Sequence, residues 1–259
     1  MRLEAVDSNI YDADYYLKDG YGGDINRFIG SLDKPSPLVD YPIEVANLRK
    51  GERVLDVGCG IGRLLYACAK IGCIVEGYDY SQDALDIAGK AIDTLPQDLK
   101  KNTRLKKDDV KNIPDVKKYD VIFMCDIVEH LYDWELKLLF NKLKELLQPN
   151  TGRLIIHTAP NRWYINFIFP LKRILNLPKT LKKKKGIFYK RSKYFYDESM
   201  HVNEQTPFSL RRHLKGFYAK VWCQDGSSNL ISILTKKLCG CDIWAVARVK
   251  KPKISNPAG

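Results

Sequence analysis

The chain contains no long apolar run and no paired cysteine spacing of the kind that holds a metal. Its most apolar stretch, residues 163–171, is too short for a bilayer span and is interrupted by Asn166 and Pro170, so we expect no membrane-spanning helix. Residues 1–9 lack the apolar core of a signal peptide, so we do not expect secretion. The seven cysteines are scattered through apolar segments, which favours reduced thiols in a cytoplasmic protein. Cys239 and Cys241 form a C-x-C, but they would need further ligands to bind a metal.

Acidic residues are absent from one long segment, and this absence accounts for the charge of the whole chain. The net charge is +12, from 43 basic and 31 acidic residues. Between residues 159 and 196 there are eleven Lys or Arg and no acid, which leaves the rest of the chain almost neutral. A partner selected by positive charge should therefore meet this segment.

Short apolar segments alternate with helical patterns over the first 160 residues. Strands are predicted at residues 53–57, 73–79, 103–107, 119–125 and 153–158. Helices are predicted between them at residues 61–70, 82–92 and 133–147, the second of which Ser81 should cap. A helix opening at Thr206 and strands at 217–223 and 242–249 follow. The pattern predicts one α/β domain over residues 1–259, a doubly wound Rossmann-like parallel sheet with a basic and aromatic insertion at 160–205 after strand five.

A glycine-rich turn follows the first predicted strand. Gly58, Gly60 and Gly62 lie where glycine lets the backbone approach a ligand and where the next helix offers free N–H groups. A dinucleotide fingerprint would place glycine at position 63, which is Arg63, so a nicotinamide cofactor is disfavoured. A tight turn without any ligand is the other alternative.

Asp79 ends the second predicted strand, downstream of the glycine turn. An acid at this position can accept hydrogen bonds from both hydroxyls of a ribose bound across the strand ends. A carboxylate at a strand end is by itself usually a helix cap or a solvated charge. Its combination with the glycine turn predicts a nucleoside-containing ligand.

Four motifs resemble the class I S-adenosylmethionine-dependent methyltransferases. They are V-L-D-V-G-C-G-I-G-R-L at 54–64, E-G-Y-D-Y-S at 76–81, D-V-K-N-I-P at 109–114 and F-M-C-D-I-V-E-H-L at 123–131. The resemblance implies a seven-stranded sheet whose last strand is antiparallel, and S-adenosylmethionine as the donor, with S-adenosylhomocysteine as the product. It also implies that residues 1–40 cover the donor, with Tyr15 or Tyr16 near it. The donor-binding residues that it implies are Asp56, Gly58, Cys59, Gly60, Gly62, Asp79, Tyr80, Asp109, Val110 and Cys125.

Histidines are the candidates for a catalytic base. Methyl transfer depends chiefly on holding acceptor, methyl carbon and sulfur in line, and a hydroxyl acceptor also benefits from a group that takes its proton. His130 follows strand four and His201 ends the insertion, so we rank both ahead of His157 at the tip of strand five. We expect His213 on a helix surface. Each of them is alternatively a hydrogen-bonded structural histidine.

A possible metal site overlaps these candidates. Asp126, Glu129 and His130 follow the pattern D-x-x-E-H, whose oxygen and nitrogen ligands suit a divalent cation. The segment is similar to the E-x-x-E-H of the ubiquinone-biosynthesis O-methyltransferases, where those residues are tied to a metal, but Asp126 replaces the first glutamate. The alternative is a polar helix start beside the donor.

The basic insertion allows three interpretations. Aromatic residues on both sides of the lysine run 182–185 suit an anionic membrane surface bound through residues 162–193. A similar apolar and basic insertion stands at this point of the ubiquinone-biosynthesis enzymes. The segment could instead be a lid over the acceptor with a solvated lysine loop, or it could neutralise the phosphates of a nucleic acid and stack on its bases.

The expected activity is methylation of a hydroxyl on a lipid-linked, glycan or quinone-like acceptor. Residues 201–212 resemble methyltransferases of envelope glycan pathways, which adds the glycan to this set. The expected location is cytoplasmic, peripheral at the inner membrane face. The alternatives are an RNA methyltransferase and a donor-binding protein of the same fold without catalysis.

Overall fold

The computed structural model describes residues 6–114, 117–175, 200–224 and 240–250, and within them seven strands form one sheet. The strands are β1 (Arg53–Val57), β2 (Ile74–Asp79), β3 (Thr103–Lys107), β4 (Val121–Cys125), β5 (Arg153–Thr158), β6 (Phe217–Gln224) and β7 (Asp242–Val249). Their order is β3-β2-β1-β4-β5-β7-β6. Strands β1 to β5 are parallel, and β7 is antiparallel to both of its neighbours. The predicted doubly wound, seven-stranded sheet with an antiparallel last strand is confirmed.

Helices lie before and between the strands. They are α1 (Ala13–Tyr21), α2 (Ile25–Ile29), α3 (Pro37–Ala46), α4 (Arg63–Ile71), α5 (Gln82–Asp93), α6 (Gln97–Lys100), α7 (Asp133–Leu146), α8 (Phe169–Leu175) and α9 (Pro207–His213). Helix α4 begins two residues later than predicted because its N-cap, Gly62, has a φ of +77°, which lies outside the helical region. The predicted caps are present: the Oγ of Ser81 accepts the N–H of Ala84 at 3.1 Å, and Thr206 caps α9.

Both faces of the sheet are buried, as the continuous apolar strands predict. In β4, Ile122 and Met124 pack into a core cluster with α7 and α9, whereas Val121 and Phe123 point to the opposite face and pack with α4 and α5. The buried sheet therefore supports the loops at the carboxyl ends of its strands.

The first part of the predicted insertion is helical. A single π-helical turn, Tyr164–Ile168, runs directly into α8. Ile165 and Ile168 are buried, while Phe167, Leu171 and Ile174 are exposed. The lysine run and the other basic residues between 176 and 199 lie outside the described residues, as does Cys239. No helix in the described ranges is both long and apolar enough to cross a bilayer.

Candidate active site

The glycine turn after β1 brings the backbone into contact with two neighbouring elements. Gly58 and Gly62 have φ values of +69° and +77°, where a side chain would be strained. A Cβ at Gly58 would lie 2.5 Å from Cδ1 of Ile127, and one at Gly62 would lie 2.8 Å from Cβ of Ala88. Glycine is therefore required at both positions by conformation and by space.

Asp79 is buried at the end of β2 with both carboxylate oxygens engaged. The N–H of Gly60 donates to Oδ2 at 2.8 Å, and the N–H of Ser81 donates to Oδ1 at 2.9 Å. Burial raises the pKa of Asp79, although these hydrogen bonds act in the opposite direction. Each oxygen keeps a second lone pair, so the carboxylate can still accept hydrogen bonds from two hydroxyl groups. Asp56 lies buried nearby, and its burial together with the charge of Asp79 raises its pKa to about 7.

A pocket of about 620 Å³, including the solvent at its mouth, opens above the carboxyl ends of the strands. Half of the predicted donor residues line it, namely Gly58, Asp79, Tyr80, Asp109 and Val110. The others do not line it: Asp56, Cys59 and Cys125 belong to β1, the turn and β4, and Gly60 and Gly62 shape the turn. Tyr11, Ile127 and Glu135 also line the pocket and were not predicted.

Lys111 links Asp109 and Glu135, two of the residues that line the pocket. Its Nζ lies 2.9 Å from Oδ2 of Asp109 and 2.5 Å from Oε1 of Glu135, whose side chain is almost completely buried. The Oδ1 of Asp109 also accepts the N–H of Lys111 at 2.9 Å. Glu135 could not be singled out from the sequence, because a glutamate in the first turn of a helix is common for electrostatic reasons alone.

Residues of the predicted N-terminal cover reach the same pocket. Tyr11 and Tyr16 line it, and the hydroxyl of Ser81 donates to the carbonyl oxygen of Tyr11 at 2.6 Å. Tyr15 does not line the pocket, and its ring packs edge-on against the rings of Tyr11 and Tyr16.

Arg63 ties the next part of this segment to α4. Its Nη1 donates to the hydroxyl oxygens of Tyr21 and Ser31 at 2.7 and 3.0 Å, and its Nη2 donates to the carbonyl oxygen of Ser31 at 2.9 Å. Arg63, which stands where a dinucleotide fingerprint would have glycine, thus anchors the N-terminal segment to α4.

The two histidines ranked first in the sequence lie side by side. The rings of His130 and His201 are edge-to-face with centroids 4.8 Å apart, and His130 lines the pocket. The Nδ1 of His130 lies 2.9 Å from the hydroxyl oxygen of Tyr11 and 3.2 Å from the carbonyl oxygen of Met200. Burial, with a contribution from His201, lowers the pKa of His130 to about 4, so the ring is neutral at pH 7.

The other two histidines have structural partners. His157 is buried against Trp244, and its Nδ1 lies 2.7 Å from Oδ1 of Asp126. Burial alone would lower the pKa of His157, but the carboxylates of Asp126 and Asp242 outweigh it and raise the pKa to about 10. His213 lies on α9 as predicted and is partly exposed: its side chain is 16% exposed and its Nε2 lies 3.3 Å from Oδ1 of Asp133.

Glu129, His130 and His201 form a group of potential metal ligands, with one ligand atom of each within 4.8 Å of the others. Glu129 is buried and accepts a hydrogen bond from the hydroxyl of Thr158 at 2.6 Å, and burial with the nearby Asp126 raises its pKa. Compared with the predicted set, His201 takes the place of Asp126, whose carboxylate pairs with His157 instead. His201 lies 72 positions after Glu129, and such a separation carries no spacing signal, so this grouping could not be predicted from the sequence.

Comparison with known proteins finds methyltransferases among the relatives of this chain. The chain is 25% identical over 229 residues to (S)-coclaurine N-methyltransferase of Papaver somniferum, a match that covers 79% of this chain and 60% of the relative. It is 31% identical over 130 residues to the ubiquinone biosynthesis O-methyltransferase of Coxiella burnetii, which covers 49% of this chain and 53% of the relative. The chain thus spans little more than half the length of these relatives.

Among solved structures, magnesium protoporphyrin IX methyltransferase of Synechocystis PCC 6803 with bound SAH shares the fold. The TM-score is 0.55 at 20% identity, and the superposition covers 94% of this chain and 95% of that one. The sequence profile of the methyltransferase domain family matches residues 25–224. This match confirms the resemblance to S-adenosylmethionine-dependent methyltransferases, and the chain belongs to the methyltransferase domain family.

Proposed function

We propose that the chain transfers the methyl group of S-adenosylmethionine to a hydroxyl of a lipid-linked, glycan or quinone-like acceptor. The observation that carries the proposal is that Asp79 and the neutral imidazole of His130 line one pocket. Asp79 supplies the carboxylate for the ribose of the donor. His130, with His201 against it, supplies the group that meets the acceptor.

The reaction is a displacement at the methyl carbon. The acceptor oxygen forms the new bond to carbon while the carbon–sulfur bond breaks, and the electron pair of that bond stays on sulfur. The hydroxyl proton passes to an imidazole. The buried His130 is neutral at pH 7 and so has an unprotonated nitrogen for it, although its lowered pKa makes it a weaker base than an exposed histidine. Among the relatives, one is named for methylation of nitrogen and one for methylation of oxygen, and the paired histidines support oxygen, since a hydroxyl must lose its proton.

A divalent cation on Glu129, His130 and His201 is the alternative form of the proposal, because two imidazoles and one carboxylate suit such an ion, and a nitrogen that binds it cannot also take the proton. The ion would supply Lewis-acid chemistry for the acceptor hydroxyl. Calorimetric titration with Mn²⁺ or Zn²⁺ tests it. His201→Ala should abolish saturable binding and His213→Ala should not, whereas equal affinities in all three proteins would contradict the site.

We further propose that the acceptor is reached at an anionic membrane surface. Phe167, Leu171 and Ile174 are 65%, 44% and 52% exposed at the start of the segment 162–193, and the lysines of that segment would each add about 1 kcal/mol on anionic lipid. Flotation with neutral and anionic liposomes tests this. Binding to anionic vesicles would support the proposal if the double substitution Phe167→Ser and Ile174→Ser reduces it. No binding would redirect the search to a soluble acceptor or to RNA.

Turnover tests the whole proposal. Labelled donor should transfer methyl to a hydroxylated acceptor, and His130→Ala should lower turnover by at least about 100-fold, the ordinary contribution of acid–base catalysis. His213→Ala is the matched control, because His213 is paired with Asp133 and does not line the pocket. Tight donor binding with no transfer to any acceptor would instead identify a donor-binding protein without catalysis.

A further inference from the structure

Tyr11 links the part of the pocket that contains Asp79 with the part that contains His130. Its carbonyl oxygen accepts the hydroxyl of Ser81 at 2.6 Å, and the N–H of the same Ser81 donates to Asp79 at 2.9 Å. Its ring is buried, with edge-on contacts to Tyr15 and His130 and a tilted contact to Tyr80. The backbone of Tyr11 is therefore fixed relative to the proposed ribose carboxylate.

The hydroxyl of Tyr11 contacts the side chain of His130. It lies 2.9 Å from Nδ1 of His130, and the carbonyl oxygen of Met200 lies 3.2 Å from the same nitrogen. A carbonyl oxygen can only accept, so Nδ1 carries the proton and donates to both oxygens. The lone pair of the neutral ring is then on Nε2.

We propose that Tyr11 is a positioning residue that, together with the Met200 carbonyl, holds His130 in the tautomer protonated at Nδ1, leaving the Nε2 lone pair for the acceptor hydroxyl or for a cation. The proposal rests on the proposed function, but it concerns a contact that exists in the free protein. Both chemical roles of His130 need an unprotonated nitrogen, so the tautomer matters to either of them.

Two oxygens are the hydrogen-bond partners of Nδ1 of His130 among the described residues. His201 contacts the ring edge-to-face, and Asp126 lies close enough to act on His130 electrostatically, but the oxygens at hydrogen-bonding distance from Nδ1 among the described residues belong to Tyr11 and Met200. The Met200 carbonyl can only accept, so it requires the proton on Nδ1, and the Tyr11 hydroxyl is a second acceptor for that proton.

The test is the tautomer of His130 measured by long-range ¹H–¹⁵N NMR on the full chain, with and without S-adenosylhomocysteine. The chain has four histidines, so His130→Asn assigns the signal. Tyr11→Phe removes only the hydroxyl. Tyr15→Phe is the matched control, because its ring packs on Tyr11 but does not contact His130 in the described contacts. The signals of His157 and His213 show whether each variant is folded.

Wild-type His130 should give the pattern of a ring protonated at Nδ1, and in Tyr11→Phe the Nδ1–H should exchange with water about five- to tenfold faster, as expected for the loss of one hydrogen bond. Tyr15→Phe should match the wild type. A wild-type ring protonated at Nε2, or exchange in Tyr11→Phe within twofold of the wild type, would overturn the proposal. Failure of the wild type to bind S-adenosylhomocysteine would refute the proposed function and leave the tautomer result readable on its own.

Discussion

Replacing Asp79 with asparagine isolates the charge of the proposed ribose carboxylate. In the structure, Oδ1 and Oδ2 each accept one backbone N–H, from Ser81 and Gly60, and each has one lone pair to spare. Asparagine keeps one oxygen, but its NH₂ group would face one of the two backbone donors. The ribose would lose one acceptor completely, and the remaining acceptor would be uncharged.

The magnitude follows from the two hydrogen bonds to a charged group. Each contributes about 1.5–3 kcal/mol, and a neutral acceptor keeps about 1 kcal/mol of one, so at least about 2 kcal/mol of donor binding is lost. This corresponds to binding that is weaker by a factor of roughly 30 or more. Calorimetric titration with S-adenosylhomocysteine measures it directly, without any acceptor.

Asp86→Asn is the control, because Asp86 lies on α5, is exposed and hydrogen-bonds only to Gln82 in the described contacts. Its donor affinity should match the wild type. Thermal unfolding of Asp79→Asn separates lost binding from lost folding. Donor affinity within about threefold of the wild type in a folded Asp79→Asn protein would show that Asp79 does not hold the ribose.

The free energy of unfolding should decrease as pH rises from about 6.5 to about 10, because the pKa of His157 in the folded protein is raised to about 10 and the stabilisation from its charge is lost over that window. Urea titrations at pH 6 and pH 9 measure this decrease, which should be smaller in His157→Gln than in the wild type. Gly62→Ala should lower stability by about 1–3 kcal/mol, since the new Cβ would lie 2.8 Å from that of Ala88, and an unchanged melting temperature would contradict this reasoning. Arg63→Met should speed proteolysis between residues 21 and 36 at least about fivefold, as the loss of roughly 1 kcal/mol or more of hydrogen bonding implies, and equal cleavage rates would count against the anchor.

The sequence was sufficient for the sheet because its strands have strong local signals. Strands β1, β5 and β7 have the predicted bounds, since each is an apolar or β-branched run closed by turn residues. Strand β3 also has the predicted bounds, although its sequence T-R-L-K-K gives only a weak signal. The start of α4 was missed by two residues, because helical periodicity does not show that Gly62 has a positive φ. Strand β4 begins at Val121 instead of 119, where Tyr119 makes only an isolated bridge with Leu147.

The candidate site was predictable where its residues follow strand ends in sequence, as Gly58, Asp79 and Asp109 do. It was less predictable where distant segments meet. Tyr11 reaches His130 across 119 positions, and only the folded chain brings the two together. His201 likewise joins Glu129 only through the return of the chain after the insertion.

The anchoring of the N-terminal segment is uneven, and this bears on how spent donor would leave. Tyr21 and Ser31 are held by the guanidinium of Arg63 through three hydrogen bonds, whereas Tyr11 has one hydrogen bond with Ser81 and one with His130, and Ala13 has one with Asp83. Breaking the bonds of Tyr11 and Ala13 would free one side of the pocket while the Arg63 anchor stays intact. Product release would then require a local swing of a few residues, and the turnover number of such an enzyme would reflect the rate of that swing.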